Sequence, residues 1–343
     1  MDKMFKRTLL GAAVAMASTG AFADGAAQVG INSDFAVQAY GVAAISIAMN
    51  LDETSQYAYD NESRIGFRAS KDMMENVNVF MQIESGWAEP SWVAQGSGAT
   101  LGNRDTFLGL QGDWGKVRFG RMLTPMYEII DWPYSNPGLG GVFDGGADVK
   151  FHYDRKSQMA RYDSPAFGGF TFNAAIGRGT ELANEDSQFT GLAAHYALDG
   201  IATFHVGYES ATDFQHWSTG AAKGDTNGFI VGFEAPLPAG FGIAAAYKYG
   251  ENKDKATGVK ASQGSYSIVG QYWNGPLGVK VGYAANQDAE VGGATATNTA
   301  DDVVSVQVMG VINGFVPYVR LSSQTSDNKD SVEVLRVGLE YGF

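Results

Sequence analysis

Apolar and polar residues alternate with a period of two along most of the chain, the spacing that sends successive side chains to opposite faces of a β-strand. Residues 35–51 carry no charge and place Phe35, Val37, Ala39, Gly41, Ala43, Ile45, Ile47 and Met49 on one side, with Gln38, Tyr40, Ser46 and Asn50 on the other. Ile65, Phe67 and Ala69 alternate with Arg64, Gly66, Arg68 and Ser70, and Val77, Val79, Met81 and Ile83 alternate with Asn78, Phe80, Gln82 and Glu84. The rhythm holds to the end, where Leu335, Val337, Leu339, Tyr341 and Phe343 alternate with Arg336, Gly338, Glu340 and Gly342. Segments of this kind predict strands at 35–50, 62–72, 76–88, 103–112, 116–122, 157–164, 169–179, 187–198, 201–211, 225–235, 241–251, 263–273, 277–286, 302–310, 314–323 and 331–343. That makes sixteen.

Alternation alone suits two architectures. A soluble β-sandwich buries its apolar faces, whereas a membrane barrel turns them to lipid and lines its lumen with the polar ones. Three features favour the barrel. The polar face is rich in Arg, Lys and Gly, and Tyr and Phe gather near strand ends like interfacial girdles. Connections also alternate in length: Asp199-Gly200 and Asn274-Gly275-Pro276 are tight, whereas 89–102, 122–156, 212–224, 252–261 and 286–301 are long and polar. The fold class predicted is therefore all-β, a closed 16-stranded antiparallel transmembrane barrel, wide enough for an aqueous channel. Closure removes the open edges that lipid would not tolerate.

Composition narrows the chemistry. The 343 residues include 45 glycines, no cysteine and a formal charge of −13, so thiol catalysis, Cys-ligated zinc and iron–sulfur clusters are excluded. The acidic balance argues against nucleic acid as a partner. A mean hydropathy of −0.14 resembles that of a soluble protein, which is what alternation yields when half of each strand faces water. Residues 1–23 have Lys3, Lys6 and Arg7, an apolar run at 9–17 and Ala21-Phe22-Ala23, the order of a signal peptide. Cleavage before Asp24 would leave a barrel domain of residues 24–343 carrying a charge of −15.

These residues resemble the general porins of Gram-negative outer membranes. The resemblance rests on the leader followed by strands throughout, on Ser63-Arg64-Ile65-Gly66-Phe67-Arg68, and on Gly120-Arg121 through Tyr127-Glu128. It extends to Arg161-Tyr162-Asp163-Ser164-Pro165 and the terminal Tyr341-Gly342-Phe343. It implies a homotrimer in the outer membrane, in contact with lipid and lipopolysaccharide. Each pore would be narrowed by a long infolded third loop and pass small hydrophilic solutes and ions. Tyr341 and Phe343 would then serve as the signal to the barrel-assembly machinery.

The third loop corresponds to residues 122–156. Thr124 can cap a short helix with Pro125 at its first position and Glu128 in its first turn. Met126, Ile129 and Ile130 would pack it on the wall, and Trp132-Pro133 would end it. Glu128, Asp131, Asp144 and Asp148 give the loop an acidic face. Opposite, Arg64, Arg68, Lys116, Arg118 and Arg161 have lumen parity, and the resemblance adds Arg121 at a junction where a bulge would decide its side. Acidic loop and basic wall would set a transverse field at the constriction. No catalytic motif, cofactor loop or metal-ligand spacing is present: His152, His195, His205 and His216 are scattered. A substrate-selective channel of the same fold would need a run of lumen aromatics, and Tyr40, Phe80 and Tyr318 are few and separate. Whether anions or cations are preferred stays open at this level.

Overall fold

The computed structural model describes residues 36–51, 57–86, 101–144, 149, 155–178, 187–215, 223–327 and 329–343. Their strands form one sheet closed on itself. We number sixteen barrel strands in chain order. The first six are β1 Ala36–Asn50, β2 in two pieces (Tyr57–Asn61 and Arg64–Met74), β3 Val77–Gly86, β4 Thr106–Gly112, β5 Gly115–Leu123 and β6 Arg155–Asp163. Then come β7 Phe170–Arg178, β8 Gln188–Leu198, β9 Ala202–Gln215, β10 Lys223–Pro236 and β11 Phe241–Asp254. The remainder are β12 Lys260–Asn274, β13 Leu277–Asn286, β14 Asp301–Gly310, β15 Phe315–Ser326 and β16 Val332–Gly342. Each pairs antiparallel with its neighbours. The ring closes where β1 meets β16, in register from Val42↔Gly342 to Asn50↔Val334. Gly41 and Phe343 exchange both backbone hydrogen bonds at 3.0 Å, completing that seam.

Burial separates barrel from sandwich. On the outward parity, Phe119 is 56% exposed, Ile176 64% and Val308 53%, whereas the inward-facing Lys248, Ser267 and Gln307 are at most 3% exposed. A soluble protein would reverse this. Exposed apolar side chains on most strands, together with outward aromatic pairs such as Phe315–Tyr341 and Phe241–Tyr272 near the short turns, fit a lipid-facing surface.

Residues 124–144 of the third long connection lie inside the barrel. Thr124 caps α1 (Pro125–Ile129), its side chain accepting from the Tyr127 N–H at 3.3 Å, and Pro125 sits in the first turn. A widened turn over Ile130–Tyr134 follows, and extended backbone at Trp132 breaks the helical path. A second short helix, α2 (Gly140–Phe143), occupies the glycine-rich stretch. Met126, Ile129, Ile130, Tyr134, Leu139, Val142 and Phe143 pack against Ala193, Ile230, Ala244, Ala246, Val269, Ala284 and Val303. Small wall residues make room: a Cβ at Gly282 would sit 2.7 Å from Leu139 Cδ1. At about 1.5–3 kcal/mol for each large side chain withdrawn from water, this contact holds the loop down. The barrel's main hydrophobic core is thus a loop pressed on one half of the inner wall, β8 to β14.

Candidate pore constriction

Hydrogen bonds pin the loop at intervals. Glu209 on β9 accepts the Met126 N–H at 3.2 Å, where a carboxylate suits the open N–H groups of α1. Ser267 Oγ donates to Tyr134 O at 2.6 Å, Asn286 Nδ2 to Val142 O at 3.0 Å, and Lys248 Nζ to Phe143 O. What remains of the interior is a cavity of about 1500 Å³ between the loop and the wall. Its lining includes Arg64, Arg68, Arg104, Lys116, Arg118, Arg155, Arg161 and Lys280, and the carboxylates Glu84, Asp105, Glu128, Asp131, Asp163 and Glu234.

Loop and wall charges meet directly. Arg161 Nη2 lies 2.6 Å from Glu128 of α1 and 2.8 Å from Asp163, and its Nη1 donates to Leu123 O at 3.0 Å. Arg118 reaches the other Asp163 oxygen at 2.7 Å. Arg118 and Arg161 are cross-strand partners, and two cations so placed repel. Asp163 between them offsets this. Farther round the wall, Arg104 pairs with Glu84 at 2.6 Å and Tyr40 donates to the same carboxylate at 3.0 Å. Arg155 pairs with Asp105 at 2.6 Å in the connection before β4, where burial pushes the Asp105 carboxyl up and the guanidinium opposes it.

The remaining wall cations have neutral neighbours. Arg68 donates to Gln82 at 2.9 Å and lies 3.9 Å over the Tyr40 ring. Lys280 donates to Asn136 of the loop at 3.1 Å and lies 4.4 Å from the Trp132 ring centre. Among the described residues no carboxylate oxygen lies within 4.0 Å of Arg64, Arg68, Lys116 or Lys280. These four present positive charge to the cavity without a direct ion-pair contact.

Of the residues read from sequence, Arg64, Arg68, Lys116, Arg118, Arg161, Glu128 and Asp131 are brought together around this cavity. Arg121 is not. The bulge at this point puts its extra residue on β6, since Gly120 pairs with Met159 and Met122 with Lys156. Alternation on β5 therefore continues unbroken, and Arg121 keeps the parity of outward Phe119. Its guanidinium donates to Asn103 O at 2.8 Å and Ser157 Oγ at 2.7 Å, away from the cavity lining. Asp144 closes α2 and accepts from Tyr127 OH at 3.1 Å rather than lining the cavity. Asp148 and residues 1–23 lie outside the described residues. Sequence reading missed Arg104, Arg155 and Lys280, because each is defined by a partner distant in sequence. It also missed that strand pairing sets His195 opposite His205.

A closed membrane barrel with a charged aqueous cavity narrowed from within defines an outer-membrane channel. The chain matches the family model for Gram-negative porins over residues 11–311. It is 52% identical to a chitoporin of Vibrio furnissii, with 100% of both chains covered. An anion-selective porin from Comamonas acidovorans shares the fold at a TM-score of 0.74 and 16% identity, over 90% of this chain and 100% of that one. The trimer form of OmpT, an outer membrane protein of Vibrio cholerae, does so at a TM-score of 0.66 and 15% identity, over 90% and 100%. The chain belongs to the Gram-negative porin family and forms a water-filled channel in the outer membrane.

Proposed function

We propose that this porin is substrate-selective, taking neutral saccharides of the chitin class in addition to ions and small hydrophilic solutes. The full-length 52% identity to a protein named for chitin and pore carries the reading. The cavity chemistry supports it. Gln38, Gln82, Gln111, Asn78, Asn136, Asn173 and Gln271 line the space, and uncharged amides suit the hydroxyl and acetamido groups of β-linked N-acetylglucosamine. Phe80, Phe107 and Trp132 add ring faces on which sugar C–H faces can stack.

In this reading Arg64, Arg68, Lys116, Arg118 and Arg161 form the basic side of the constriction, and Glu128 and Asp131 the loop side. Assembly as a homotrimer fits the trimeric neighbour, and Ala39, Gly41 and Ala43 on the outward face of β1 permit close approach of subunits. Tyr341 and Phe343 would address the chain to the barrel-assembly machinery after removal of residues 1–23, with lipid and lipopolysaccharide around the finished barrel. Liposome swelling tests the substrate: chitin oligosaccharides should enter faster than maltose oligosaccharides of equal length. Equal rates would reduce the protein to a general diffusion pore.

A further inference from the structure

We infer that Lys280 is a positioning residue for sugar binding, holding the Trp132 ring of the third loop in place for a β-linked saccharide. Such a role rests on the saccharide reading above, in which Trp132 is one of the stacking rings. Lys280 on β13 stands at the edge of the packed half of the wall, where it lines the cavity together with Trp132 and Asn136. It is 3% exposed. Its Nζ donates to Asn136 Oδ1 at 3.1 Å and lies 4.4 Å from the centre of the Trp132 ring.

The loop fixes the backbone of Trp132 more firmly than its ring. Extended dihedrals (φ −139°, ψ 131°) end the helical path at this residue, and buried Pro133 follows it. Ser135 Oγ donates to Ile130 O at 2.8 Å across the turn. The indole Nε1, by contrast, is buried and has no hydrogen-bond partner among the described residues. A ring that no hydrogen bond orients depends on what rests against its faces. Lys280 is the cation that does so. Trp132 is only half-buried, so part of the ring stays open to the lumen.

A buried ammonium is costly unless it is paired, and here the pairing goes to the loop. The cross-strand partners of Lys280 are the uncharged Gln271 and Gln307, and Gln307 is itself engaged by Arg320 Nε at 2.8 Å. The indole face and the Asn136 amide are what compensate the charge. Pinning the loop would not by itself need a cation, since Leu139 already packs over Gly282 on the same strand. What the ammonium adds is a fixed ring plane. A neutral sugar, which no salt bridge can hold, gains its grip from C–H faces on such a ring, and a ring held in advance costs less to order on binding.

The test reads single-channel current of the full-length porin in planar bilayers, with a chitin oligosaccharide as the blocker and a maltose oligosaccharide of equal length beside it. The parent should hold the chitin oligosaccharide longer. Lys280→Met keeps the stem and removes the charge; it should shorten the chitin dwell time about tenfold while association rate and open-channel conductance stay within about twofold. Lys280→Gln should act in the same way and carries the comparison if the first variant does not fold. Lys280→Arg, which can still stack and donate, should keep the parent's dwell time. In a Trp132→Leu background, Lys280→Met should shorten the dwell time no further, as expected of a residue that acts through the ring. Equal dwell times of the two sugars on the parent overturn this assignment and the saccharide reading together. A chitin preference that survives Lys280→Met and Lys280→Gln overturns the assignment alone, as does an undiminished loss in the Trp132→Leu background. A loss matched by an equal change in open-channel conductance means that the whole loop has moved, and overturns it too.

Discussion

Asp163→Asn is the sharpest perturbation of the constriction. The carboxylate separates two cross-strand arginines, meeting Arg118 at 2.7 Å and Arg161 at 2.8 Å. Its own side chain is 10% exposed and that of Arg161 is 2% exposed, so pore water screens the group weakly. Asparagine keeps the shape and can still accept a hydrogen bond, but it removes the charge. Two guanidinium groups about 5 Å apart, at an effective dielectric constant of about 20, then repel by about 3 kcal/mol. That matches the lower end of the roughly 3–5 kcal/mol measured when one partner of a buried pair is removed. Arg161 retains Glu128 and the Leu123 carbonyl, whereas Arg118 loses the carboxylate both of its guanidinium hydrogen bonds reach. Unfolding in denaturant, followed by the gel shift between folded and heated forms, should show the lower stability. Reversal potentials in a salt gradient should move toward anions. Adding Arg118→Gln should recover much of the loss, because it removes the repulsion. Unchanged unfolding and an unchanged reversal potential in Asp163→Asn would refute the electrostatic account of this cluster.

Three further outcomes follow from the geometry. Arg68→Gln removes a cation whose nearest partners are Gln82 and the Tyr40 ring; reversal potentials should shift toward cations while stability falls by no more than about 1 kcal/mol. Gly282→Val would drive side-chain atoms into Leu139; about 1–3 kcal/mol of overpacking should push the loop into the lumen and lower single-channel conductance. Glu209→Ala takes the acceptor from the Met126 N–H at the start of α1; a loss of about 1 kcal/mol should appear as noisier open-channel current.

Much of the barrel was legible because lipid and water impose opposite demands on alternate residues. Arg64, Arg68, Lys116, Arg118 and Arg161 could be assigned to the lumen by parity alone, and Thr124-Pro125 announced α1 by its capping chemistry. Parity is a one-strand property, however. The side of Arg121 depended on which strand took the extra residue at the bulge, and that is decided by pairing. The same limit concealed the roles of Arg104, Arg155 and Lys280, whose partners Glu84, Asp105 and Asn136 stand 20, 50 and 144 residues away. His195 and His205, ten residues apart in sequence, become neighbours only through the β8–β9 register. The short strand Tyr57–Asn61 carried too little apolar content to be read, though it pairs fully with β1.

Pressing the loop onto β8 to β14 makes the pore eccentric, and this divides the labour of its wall. Inward substitutions on that half at positions the loop covers, such as Ile230, Ala246 and Ala284, disturb a packed core and should be recorded as losses of yield or heat resistance. Inward substitutions on β2 to β6 outside the buried Arg118–Asp163–Arg161 cluster, such as those at Arg64 or Arg68, meet ions and solute and should be recorded as changed permeation with the barrel intact. A systematic survey of lumen positions would then sort into two arcs of the circumference, one governing whether the protein survives and the other what crosses it.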